Sequence, residues 1–81
     1  MAVVLRHHAV VRLAERGIAR SWLEATIAAP DWSIPNGRPG VTRSFKAIVA
    51  AGGKVLRVAH RRDGDDIAVI TDLFDGRAGK P

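Results

Sequence analysis

His8, Arg12 and Arg16 recur at intervals of four residues near the start of the chain. On an α-helix, at about 100° per residue, that spacing confines the three side chains to an arc of roughly 80°. An imidazole, which titrates near neutrality, then stands in line with two permanent cations. The combination suits a phosphodiester. The imidazole is the natural acid or base, and the guanidiniums would grip phosphate oxygens as forks. Glu15, three residues from Arg12, offsets part of the repulsion between the two arginines. The same pattern also describes the solvated face of an amphipathic helix, because Ala9, Val10, Leu13 and Ala14 fill the opposite side.

Cleavage of RNA without a metal needs a base for the 2′-OH, an acid for the 5′-oxygen and donors for the phosphorane charge. His8, Arg12 and Arg16 supply candidates for these roles, and Thr71 could donate a hydrogen bond to a phosphate oxygen. Arg43, Lys46 and Arg57 are candidates to complete an anion-binding cleft. His60 is a second imidazole, but Arg61 and Arg62 beside it read as a solvated basic strand end. No metal or cofactor is expected. His7 and His8 diverge by about 100° on a helix and do not form a metal pair. Asp63, Asp65 and Asp66 fit turn chemistry, not a calcium loop. The glycines lack the strand-to-helix setting of a phosphate loop, and neither G-x-S-x-G nor H-E-x-x-H occurs. Trp22 and Trp32 read as core residues, not base-stacking platforms.

These residues must be positioned by a small domain. Eighty-one residues suffice for one hydrophobic core and a surface cleft, but not for a deep cavity. A hydrophobic content of 47% argues against disorder. The absence of cysteine excludes disulfides and thiolate zinc sites. A net charge of +5 favours an anionic partner, either nucleic acid or an acidic protein. The opening Met1-Ala2-Val3-Val4-Leu5 is too short for a signal or membrane segment, so a cytoplasmic protein without membrane attachment is expected.

The pattern predicts a first helix from about His7 to Arg16, ended by Gly17, and a second from about Arg20 to Ala28, ended by Pro30. Ser21 is a candidate cap for the second. Asp31–Pro35 reads as a short edge strand, because Pro35 has no N–H for a ladder. Strands then follow over Val41–Ala50, Lys54–Arg61 and Ile67–Phe74, with turns at Ala51-Gly52-Gly53 and Asp63-Gly64. Residues 75–81 read as a frayed tail. The expected class is α+β, with two N-terminal helices packed on one face of a three- to four-stranded antiparallel meander. If Trp22, Leu23 and Ile27 cover one face, the other would carry Arg43, Arg57 or Thr71. Two helices cannot cover the whole sheet, which leaves room for a cleft beside the row on the first helix.

His8-Ala9, Arg12-Leu13, Arg16-Gly17-Ile18, Pro30-Asp31 and Val69-Ile70-Thr71, in that order, resemble the bacterial family called domain of unknown function 4258. The resemblance spans about residues 5 to 74. It implies a distant likeness to small nuclease toxins of the barnase, EndoU, colicin and RelE type, many of which cut RNA without a metal. It also implies an acidic antitoxin or immunity protein as partner. It assigns the site to His8, Arg12, Arg16 and Thr71. The sequence departs from the family pattern after the threonine, where Asp72-Leu73-Phe74 stands and no tyrosine is available.

Three readings follow. The first is a metal-independent ribonuclease-like toxin. The second is a non-catalytic module that binds nucleic acid or an acidic protein through the same cations. In the third, the Arg16-Gly17-Ile18 segment is a folding signature alone.

Overall fold

The computed structural model describes residues 2–5 and 7–78, the side chain of His8 excepted. The fold is α+β, with two helices and one five-stranded mixed sheet among the described residues. Strand β1 (Val3–Leu5) comes first, followed by α1 (His7–Arg16) and α2 (Arg20–Ala28). Then come β2 (Trp32–Pro35), β3 (Val41–Ile48), a 3-10 turn at Val49–Ala51, β4 (Lys54–Asp63) and β5 (Asp66–Phe74). The sheet order is β1-β5-β4-β3-β2. The last four strands form the expected antiparallel meander, with β2 at one margin.

Two expectations need correction. The sheet has five strands, not three or four, and it is mixed, because β1 pairs parallel with β5. Ser21 does not cap α2; the N-cap is Ala19, with no side-chain hydrogen bond. In residues 75–78, read from the sequence as part of a tail, specific contacts are made. Asp75 donates its N–H to the Val55 carbonyl and pairs with Arg57, and Ala78 closes a turn on Asp75. Residues 79–81 lie outside the described residues.

Helix boundaries follow from local chemistry. Gly17 adopts φ 64°, a left-handed conformation that costs residues with a Cβ. The Ile18 N–H bonds back to the Leu13 carbonyl, closing the end of α1. One residue before Pro30, the Ala29 N–H still bonds to the Ala25 carbonyl, and the helix stops there.

The core fixes which face of each strand is covered. Leu13 and Ile18 from the α1 region and Leu23 from α2 cluster with Ile48, Leu56, Val58 and Val69. Those four strand residues share one face, because Ser44 pairs with Val58, Lys46 with Leu56 and His60 with Val69 across the ladders. Val3, Leu5, Trp22, Ile27 and Phe74 pack around this cluster. A bulge at Ala59/His60 leaves Ile70 as an extra residue in β5, between Val69 and Thr71. Without it, Val69 and Thr71 would point to the same side.

Candidate functional site

Register sets the opposite face of the sheet. One row across it reads Trp32, Phe45, Arg57, Leu73, and the next reads Ile34, Arg43, Ala59, Thr71. A third reads Val41, Arg61, Ala68. None of these residues belongs to the helix-covered cluster. The face therefore carries Arg43, Arg57 and Thr71 together.

Two adjoining clefts open on it. One, of about 380 Å³, is lined by Asn36, Arg38, Arg43, Arg57, Ala59, Ile70 and Thr71. The other, of about 460 Å³, is lined by Arg38, Pro39, Val41, Arg61, Ala68, Val69 and Ile70. Arg38 and Ile70 border both. The β2–β3 loop folds so that the Asn36 N–H reaches the Val41 carbonyl and the Val41 N–H reaches the Arg38 carbonyl. That fold brings the Arg38 side chain over the strands.

Four guanidiniums thus surround a shallow concave surface. Arg43 donates from Nε to Asn36 Oδ1, and Arg57 donates from Nη1 to Asp75 Oδ2 at 3.1 Å. Each of these contacts orients a planar fork yet leaves further N–H donors. Among the described residues, Arg38 and Arg61 make no ion pair and are exposed. Thr71, half-buried, offers a hydroxyl at the floor.

The residues singled out from the sequence separate into two groups. Arg43, Arg57 and Thr71 converge in the first cleft. Arg12 and Arg16 lie on α1, whose Leu13 packs on the other face of the sheet, so Thr71 does not meet that row. Arg12 is exposed, and Arg16 donates from Nη1 to the backbone carbonyl of Asp72. The side chain of His8 lies outside the described residues. Lys46 also faces the helix side, where it donates to the Ala29 carbonyl at 2.9 Å and sits 3.8 Å from Asp31. It does not complete the cleft.

Two features escaped the sequence reading. Arg38 had no signal, because it sits in an open turn whose path periodicity does not define. The other is a side-chain relay on the helix side. Ser33 Oγ lies 3.2 Å from Ser44 Oγ, which lies 2.7 Å from His60 Nε2. Burial lowers the His60 pKa from its ordinary 6.5, favouring a neutral ring that exchanges a hydrogen bond with the Ser44 hydroxyl. Ser44, the middle member, is only 2% exposed, while Ser33 is exposed and His60 half-buried. Alternation along β4 already placed His60 with Leu56 and Val58, which was the available signal.

Among the described residues, no group of three or more His, Asp or Glu is placed to hold a metal ion. No helix among them is long and apolar enough to cross a membrane. Comparison with protein-family models, curated proteins and solved structures finds no match for this chain.

Proposed function

We propose that this protein binds RNA through the helix-free face of its sheet, with Arg38, Arg43, Arg57 and Arg61 holding phosphates and Thr71 donating a hydrogen bond. The observation that carries the reading is the convergence of Arg43, Arg57, Arg38 and Thr71 around one cleft. The net charge of +5 supports an anionic partner, and guanidinium forks match phosphate oxygens. An acidic antitoxin-like protein would compete for the same surface.

A second reading keeps RNA as substrate and adds cleavage. It rests on the resemblance to the domain of unknown function 4258 family and on the solvent exposure of Arg12, which leaves the row on α1 open to a phosphate. In that reading His8 moves the proton while Arg12 and Arg16 grip the scissile phosphate, and Thr71 takes no part.

One experiment separates the readings. Labelled RNA is incubated with the protein in EDTA, and binding and cleavage are measured together. Binding without cleavage, weakened at least tenfold by Arg43→Ala with Arg57→Ala, supports the binding module. Cleavage abolished by His8→Ala with the fold retained supports the ribonuclease. Failure to bind RNA at moderate salt overturns both.

A further inference from the structure

The clefts are not the whole of this face. Next to the arginines, at the margin of the sheet, Trp32 stacks on Phe45 with ring centroids 5.0 Å apart and planes 7° from parallel. Phe45 is 5% exposed, so its ring is spent on this contact and on its surroundings. Trp32 is different. It stands on β2, the edge strand, and is only half-buried. The indole stacks on Phe45 and keeps part of its surface in reach of solvent.

Register ties this aromatic pair to the cations. Trp32, Phe45 and Arg57 form one row, and Arg43 lies two residues from Phe45 along β3, about 7 Å away at a strand's rise per residue. A rigid π-surface therefore lies within one nucleotide of two oriented guanidiniums. Single-stranded nucleic acid is recognised by this pairing of a cationic track with aromatic platforms on which unpaired bases stack. A duplex keeps its base faces inside the helix, where Trp32 has no access.

We infer that the ligand of this face is single-stranded RNA, with a base stacked on Trp32 while the adjoining phosphates lie against Arg43 and Arg57. This inference rests on the RNA-binding reading above and narrows its substrate class. Where the sequence suggests a core residue, Trp32 is half-buried and stacked on Phe45.

The test uses an unstructured oligonucleotide and a duplex of equal charge, with Trp22→Phe protein so that Trp32 is the one remaining indole. The single strand is expected to bind at least tenfold more tightly than the duplex and to quench Trp32 emission. Trp32→Leu, which keeps an apolar cover over Phe45, should lose about tenfold in single-strand affinity, the scale of one lost stack. Trp32→Phe should recover most of it. Equal affinity for both forms, or a Trp32→Leu protein that binds the single strand unchanged, would overturn this inference and leave RNA binding intact. Failure to bind either form would overturn RNA binding itself.

Discussion

The guanidinium of Arg16, at the end of α1, donates a hydrogen bond from Nη1 to the main-chain carbonyl of Asp72 in β5. It joins segments fifty-six positions apart, and the side chain of Asp72 beneath is fully buried. An arginine with every sequence attribute of a phosphate ligand thus also anchors the first helix on the last strand. Arg16→Ala is expected to cost about 1 kcal/mol, below the usual value for a bond to a charged group because the arginine is largely exposed. Urea denaturation measures it, and an unshifted midpoint would return Arg16 to the solvated row.

Binding on the helix-free face should depend steeply on salt. If three or four phosphates are neutralised, log K should fall against log salt with a slope of about −2 to −3 for a single strand. Arg43→Ala or Arg57→Ala should each reduce the magnitude of that slope by about 0.7. Titrations at several ionic strengths provide the check, and slopes identical to wild type would remove these residues from the interface.

His60 makes stability dependent on pH. Its folded-state pKa is lowered by burial, so the unfolded chain takes up a proton more readily than the folded one. The contribution is fully present above about pH 6.5, the ordinary value, and is lost as pH falls through the lower folded value. His60→Gln should flatten the stability profile between about pH 7 and the onset of carboxylate titration. Chemical denaturation of both proteins across that range reads the difference, and parallel profiles would contradict it.

Gly17 is required for its backbone alone. Its φ is 64°, and among the described residues no heavy atom beyond its two chain neighbours lies within 4 Å of the point where a Cβ would stand. An added methyl group therefore meets no neighbour, and only the left-handed conformation resists it. Gly17→Ala should destabilise by about 1 kcal/mol without altering core packing. Thermal melting would show it. A loss several times larger would mean that the α1–α2 turn holds more than its own geometry.

Much of the frame was legible because punctuation residues mark it. Gly17 and Pro30 bracket the helices, and the alternation Leu56, Val58, His60 against Arg57 and Ala59 gave β4 its two faces. That alternation also led to Arg43 and Arg57 on one surface. Two things were hidden. β1 is three residues long and pairs with a strand more than sixty positions later, a non-local partnership without local periodicity. β5 reads as a nearly continuous apolar run, so its facing has no signature, and the extra Ile70 shifts its phase. The family resemblance groups Thr71 with the row on α1, whereas it looks out from the other side, with Arg43 and Arg57, the face that the residues themselves allowed. Asp72, a charged residue in that run and fully buried, shows how little composition says about depth.

The sheet's two outer strands are its shortest, three residues at one side and four at the other, and the latter ends in Pro35. Strands this short offer little template for a further strand to zip onto, and where β5 runs on past β1 Arg16 occupies the Asp72 carbonyl. Brevity at the borders thus guards against fibrous self-assembly, even with aromatics so near the rim.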